Sequence, residues 1–231
     1  MEPKTRWANV LRTGRWFREL TPGLQQALLE HGVACTLAPE QPLFARGDPP
    51  CGLYAVLEGS VRIRGLDSAG RESLLTIAEP PSWFGEISLF DRAPRTHDAI
   101  ANAQTTLLKV PQDVLEALLL REPAYYRELA LLLTAKVRLL MQQVEDLATM
   151  PLGVRLARRL LHMSQGYGEF GPLGRKTLEV RQEQLGAMLN ASRQSINTQL
   201  KEFASAGLLR VAYGRIELLD VDGLKKTADL A

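Results

Sequence analysis

Long apolar runs are missing from this 231-residue chain. None approaches the ~18 residues that would suggest a membrane-spanning helix. Cysteine occurs only as Cys35 and Cys51. Two thiols make no disulfide framework, and they cannot supply the thiolates of an iron–sulfur cluster. A reducing cytoplasm is the compartment they fit best. Histidine is also scarce, and His31, His97 and His162 sit in no metal-ligand spacing. There is no internal repeat and no low-complexity tract. A P-loop is absent, as is any nucleophile motif, which weighs against an enzyme. The N-terminus, MEPKTRWANVLRTGRWF, is basic and amphipathic but has no apolar h-region, so it reads as folded protein rather than an export signal.

Hydrophobic residues make up 45% of the chain and charged residues 23%, enough of each for soluble globular domains with buried cores. The net charge of +2 is unevenly divided. Residues 150–231 hold 12 Lys/Arg against 8 Asp/Glu, whereas residues 1–149 hold 16 against 18. The C-terminal part is therefore the one suited to an anionic partner.

Residues 7–31 read as short helices, with Thr21-Pro22 as an N-cap and a first-position proline. From 33 to 110 the texture is that of short strands. LYAVL, SVRIR, SLLTI and TTLLKV are separated by turn signals at 46–50, Glu58-Gly59, Asp67-Ser68-Ala69-Gly70 and Ala93-Pro94-Arg95. Helical texture returns at about 112. In the stretch 123–149, Tyr126, Ala130, Leu133, Val137, Leu140, Val144 and Leu147 are spaced as an a/d seam. A flanking stripe of Leu129, Leu132, Lys136 and Leu139 could pack on the chain's own domain while the seam meets a second copy. Pro151 and Gly153 break the helix and mark a boundary. Residues 154–165 form a further helix, and GYGEFGPLG a loop.

Residues 181–206, RQEQLGAMLNASRQSINTQLKEFASA, hold a helix-turn-helix pattern. Leu185, Met188 and Leu189 give one short helix its apolar face. Asn190-Ala191-Ser192 is a tight turn, with Ser192 able to cap the next helix. Ile196, Leu200 and Phe203 mark the core face of that second helix. Gly186 sits where the two approach. Facing away from the core are Arg193, Gln194, Asn197, Thr198 and Lys201. Arginine suits guanine, Gln or Asn suits adenine, and Ser, Thr and Lys suit phosphates. Arg193 and Gln194, at the helix N-terminus, are the expected base readers. Arg181 and Ser192 join the set of candidate DNA contacts. Beyond them, strands around Tyr213-Gly214 predict a hairpin wing whose Arg210 and Arg215 could reach the backbone.

Residues 83–101 read WFGEISLFDRAPRTHDAIA. Gly85 permits close backbone approach. Amides around Gly85, Glu86, Ile87 and Ser88 can cradle an anion. Glu86 can accept from a ribose hydroxyl, Arg95 can pair with a phosphate, and Thr96 can add a hydroxyl donor. The order FGEISLF then Pro94-Arg95-Thr96 resembles the phosphate-binding cassette of the CRP/FNR family of regulators. FARGDPPCGLYAVLEGSVRI and a turn at Gly70 look like that family's β-roll. The resemblance covers essentially the whole chain. It implies that these cassette residues hold a cyclic nucleotide, with Ile63 and Leu75 as pocket walls. Leu140 and Met141 align where the cyclic-AMP receptor protein has a Thr-Ser pair bonding the adenine amino group. Neither can make that bond, so adenine recognition is expected to differ. A Glu86–Arg95 ion pair that merely holds the cassette is the structural alternative. Along the recognition helix, Gln194 and Thr198 also depart from the family's best-known readers, which implies a different half-site.

The expected fold is α+β: a cyclic-nucleotide-binding-type β-roll with N-terminal helices (1–121), a dimerisation helix (122–149) and a winged helix-turn-helix (150–231). The expected function is a cytoplasmic, homodimeric transcription regulator of double-stranded DNA with no membrane role. A small ligand, a cyclic nucleotide or another, would control it, and RNA polymerase is a further candidate partner. Leu133, Val137, Leu140, Val144 and Leu147 are the expected dimer contacts. Two alternatives stay open: a nucleotide-binding protein acting through protein partners, and a haem-based gas sensor.

Overall fold

The computed structural model describes residues 3–66, 72–167 and 176–229. Three short helices come first: α1 (Pro3–Leu11), α2 (Arg15–Glu19) and α3 (Pro22–His31). Thr21 caps α3 as expected, its side chain accepting from the Leu24 amide, with Pro22 in the first turn. Eight strands come next: β1 (Val33–Leu37), β2 (Pro42–Phe44), β3 (Gly52–Glu58), β4 (Val61–Leu66), β5 (Glu72–Ala78), β6 (Trp83–Phe84), β7 (Asp98–Ala101) and β8 (Thr105–Pro111). The short helix α4 (Ile87–Asp91) lies between β6 and β7. The expected turn at Asp67–Gly70 lies outside the described residues.

The strands form two four-stranded sheets, ordered β1-β8-β3-β6 and β2-β7-β4-β5. Strand β3 explains the arrangement. Tyr54 and Val56 point into a cluster with Leu37, Phe44, Val61, Ile63, Phe84, Ala99 and Leu107 from both sheets. Leu53, Ala55 and Leu57, on its other face, join Leu11, Phe17, Leu24, Leu28, Trp83, Leu115, Leu129 and Leu132 under the helices. A strand covered on both faces reads as a continuous apolar run. Strand β4 alternates instead, burying Val61 and Ile63 while Arg62 and Arg64 point outward. Trp83 stacks on Phe17 and meets Trp16 edge-on, which locks α2 onto the strand leading into the cassette.

Helix α5 (Gln112–Arg121) leads to the long helix α6 (Tyr125–Thr149). Leu129, Leu132, Lys136 and Leu139 are buried along one stripe of α6, as the pattern predicts. The remaining elements are α7 (Leu152–Gln165), β9 (Thr177–Leu178), α8 (Gln182–Leu189), α9 (Arg193–Ser205), β10 (Leu209–Ala212), β11 (Arg215–Leu218) and α10 (Val221–Thr227). Strands β10, β11 and β9 form an antiparallel sheet. The expected loop at 166–174 is described only at Gly166 and Tyr167.

The chain forms two compact units. The first holds the described residues up to Gly65, Leu75–Arg138, and Gly166 with Tyr167. The second holds Leu139–Gln165, the described residues from 176 onward, and a short β4–β5 segment. The helix stops where Pro151 stops it, but the division in packing falls earlier, between Arg138 and Leu139. The reason is side-chain chemistry on α7. Arg158 forms a buried ion pair with Asp146 of α6, and Arg159 donates to Gln143 at 3.0 Å. The last turns of α6 therefore pack with α7.

Candidate functional site

In the first unit the cassette closes on itself. Gly85 takes φ +98°, and a Cβ there would lie 2.9 Å from the Gly52 carbonyl and 3.0 Å from Arg95 Nη1. Glycine is required on both counts. That close approach admits the Arg95 guanidinium. Its Nη1 donates to the Gly85 carbonyl at 2.9 Å. Its Nη2 donates to the Gly52 carbonyl at 2.7 Å and to Cys51 Sγ at 3.1 Å. The plane lies over the Phe44 ring at 4.5 Å, a cation–π contact. Arg95 Nε, buried, has no partner among the described residues.

Glu86 does not pair with Arg95. Its ion partner is Lys136 of α6, with Nζ 2.8 Å from Glu86 Oε2 and a second bond of 2.7 Å to the Trp83 carbonyl. The two side chains are 3% and 4% exposed, Lys136 and Glu86 respectively. The alternative of a Glu86–Arg95 pair is thus corrected. The sequence pattern places Lys136 on the flanking stripe without giving it a role. The signal was there: a lysine in a row of three leucines that turns inward needs a buried anion. Lys136 also lies 4.7 Å from the Tyr167 ring.

The other cassette residues divide by exposure. Ser88 is buried, while Ile87 and Thr96 face solvent, and the Thr96 hydroxyl meets His97 Nδ1 at 3.0 Å. Ile63 and Leu75 pack on the cluster that contains Phe44, Tyr54 and Phe84. The Tyr54 hydroxyl contacts Cys51 Sγ at 3.1 Å, and burial, then that bond, push its ionisation up. Leu140 and Met141 are grouped with the second unit; Leu140 is half-buried and Met141 69% exposed.

In the second unit, α8 and α9 make the expected helix-turn-helix. Ser192 caps α9 by accepting from the Ser195 amide at 3.0 Å. A Cβ on Gly186 would fall 2.7 Å from the Ala191 carbonyl, so only glycine lets the turn fold over α8. Asn190 makes the bend with φ 49°. Ile196, Leu200 and Phe203 are buried. Arg193, Gln194, Thr198 and Lys201 are exposed, whereas Asn197 is half-buried against Gln182. Arg181 and Ser192 are exposed at the starts of α8 and α9. The hairpin forms around Tyr213-Gly214, and Arg210 is engaged there with Glu217 at 2.9 Å. No helix among the described residues is long and apolar enough to cross a membrane.

A β-roll and a winged helix-turn-helix in one chain are the parts of a DNA-binding regulator. Comparisons with known proteins specify it further. Residues 34–122 match the cyclic nucleotide-binding domain, and residues 154–227 the Crp-like helix-turn-helix domain. A CRP-like cAMP-activated global transcriptional regulator of Mycobacterium tuberculosis is 32% identical over 188 residues, which covers 80% of this chain and 84% of that protein. The transcriptional regulator SdrP of Thermus thermophilus is 31% identical, with 76% and 83% covered. The crystal structure of a CRP/FNR-family transcriptional regulator from Thermus thermophilus superposes with TM-score 0.66 at 28% identity, covering 85% of this chain and 98% of that one. The chain belongs to the CRP/FNR family. It is a DNA-binding transcription regulator with a cyclic nucleotide-binding domain, and not an enzyme.

Proposed function

We propose that this protein is a homodimeric, cytoplasmic regulator whose hold on DNA is set by a small phosphate-bearing ligand at Arg95. The carrying observation is the pair of buried charge systems in the roll: Arg95, whose Nε has no partner among the described residues, and Glu86 with Lys136. Burying charge without use is costly, and a phosphate on Arg95 with a sugar hydroxyl on Glu86 gives both a use. The Mycobacterium tuberculosis relative is described by its name as cAMP-activated. By the resemblance, Leu140 and Met141 align with the pair that bonds the adenine amino group in the cyclic-AMP receptor protein, and neither carries a hydroxyl to do so. The ligand is therefore a cyclic nucleotide selected by phosphate and sugar more than by base.

Two chains joined along Leu133, Val137, Leu140, Val144 and Leu147 set two recognition helices in successive major grooves, about 34 Å apart. Arg193 and Gln194 read bases there. Asn197, Thr198, Lys201, Ser192 and Arg181 complete the contact. A ligand that favours one arrangement of the two DNA-binding parts shifts affinity, and RNA polymerase is the partner through which transcription responds.

The test is calorimetry of the full chain against cyclic AMP, cyclic GMP and cyclic di-GMP. At least one binds, and Arg95→Ala abolishes that binding. Unchanged affinity in Arg95→Ala overturns the cassette assignment. The same titrations followed by salt-dependent binding to palindromic DNA separate a DNA regulator from one acting only through proteins.

A further inference from the structure

Two side chains in the first turn of α8 reach across to the recognition helix. Gln182 Nε2 donates to Asn197 Oδ1 at 3.3 Å. Glu183 Oε1 stands 3.4 Å from Arg193 Nη1. The turn that carries them is fixed, because the Arg181 amide donates to Gln184 Oε1 at 2.8 Å. The far end of α8 is fixed too: Arg155 Nη1 donates to the Leu189 carbonyl at 3.0 Å. Between the ends, Gly186 sets the approach of the two helices. The backbone that carries Gln182 and Glu183 is thus anchored at both ends of α8.

Glu183 is a strange residue for this surface. It and Arg193 are 68% and 71% exposed, and an ion pair so open adds little to folding stability. A carboxylate beside the DNA-facing helix also opposes association, since duplex DNA is a dense line of phosphates. A side chain that supplies neither stability nor general affinity has one physical use left, which is orientation. Arginine reads guanine through two parallel donors that must lie in one plane with O6 and N7. Left alone, its long side chain spreads over many rotamers. A carboxylate on one edge of the guanidinium biases that freedom toward one arrangement before the base arrives.

We propose that Glu183 is a positioning residue that holds the Arg193 guanidinium for bidentate reading of guanine and, by its charge, penalises DNA that offers only phosphate. The proposal rests on the reading of α9 as the DNA reader. Gln182 does the corresponding work on Asn197. With Oδ1 engaged, the Asn197 amide turns only N–H donors outward. It then favours bases that present acceptors, guanine or thymine, over the donor–acceptor pair of adenine.

The experiment starts from a palindromic duplex selected by the wild-type chain from a randomised library. Wild type, Glu183→Gln, Arg193→Ala and the double variant are titrated by fluorescence anisotropy, across a salt series. The probes are the selected duplex, single-base variants of it, and a random duplex. Glu183→Gln is expected to bind random DNA several-fold tighter, to lose about tenfold of its discrimination at one guanine position, and to keep the others. In the Arg193→Ala background the same substitution no longer alters that position. The thermal midpoint stays that of wild type, which a structural role would not allow. A uniform change on every duplex, or an effect that persists without Arg193, overturns the positioning role. A wild-type chain that enriches no sequence overturns the reader assignment itself, and the positioning role with it.

Discussion

Lys136 is the residue on which the cassette leans most. It brings a cation to a carboxylate in a place with almost no water, and it spends a second donor on the Trp83 carbonyl. Removing one member of such a pair leaves the other charged and buried, at a cost of about 3–5 kcal/mol. Lys136→Met should therefore lower the urea midpoint of the first unit sharply. Adding Glu86→Gln should recover much of the loss, because no buried charge then remains. An unchanged midpoint in Lys136→Met would show that the pair is solvated in solution. At this scale the sequence declared the participants better than the partnerships. Glu86 and Arg95 are legible as candidate ligand contacts from the cassette pattern, and both belong to the site. Apart from the Arg95 bond to the Gly85 carbonyl, their contacts come from Lys136, Gly52 and Cys51, up to 50 positions away in the chain. Spacing within a motif carries no information about that.

Helix α7 shows the same limit at the scale of an element. Its amphipathic pattern announces a helix, but not that it anchors the end of α6. Arg158 reaches Asp146 on one side and donates from Nε to the Ala228 carbonyl at 2.8 Å on the other. His162, next along the same helix, is pushed down to about 4, first by burial and then by Arg159. The folded chain thus keeps this histidine neutral where the unfolded chain, with a value near 6.5, takes up a proton. Unfolding binds a proton between those two values, so the contribution of His162 to stability is constant above pH 6.5 and falls as pH drops toward 4. The loss amounts to at most about 3 kcal/mol. Denaturation of wild type and His162→Leu across pH 4–8 checks this. The substitution should flatten the slope between 4 and 6.5 and leave the slope above it unchanged. An identical slope in both proteins would place the acid sensitivity elsewhere.

Over the whole molecule, the seam on α6 is the feature that one chain leaves unfinished. Val137, Val144 and Leu147 are exposed, Val144 by 68%, and Leu133 and Leu140 are half-buried, while Leu129, Leu132, Lys136 and Leu139 one stripe over are buried. An apolar stripe at heptad spacing that its own chain leaves uncovered suits a second copy. Wild type should sediment as a dimer at micromolar concentration. Val137→Glu with Val144→Glu should give a monomer that still folds, since both positions are open in the single chain. A monomeric wild type would remove the seam as a dimer contact.

The sequence by itself determined the order of parts, because that information is local. Alternating apolar residues, a proline at a helix start, a glycine at a tight turn and a 4-3 spacing each act within a few residues of where they are written. Those signals placed four of the roll's strands, the long helix, the recognition pair and the wing, while β1, β2, β6 and β7 were too short or too mixed in pattern to be picked out singly. Only the tertiary structure decided what the charges do. Glu86 is held by Lys136 rather than Arg95, Arg95 is enclosed by carbonyls and a thiol, and the end of α6 packs with α7 past Arg138. Charges act through space, and a buried charge takes whichever partner the fold brings within reach. No periodicity in the chain records that distance.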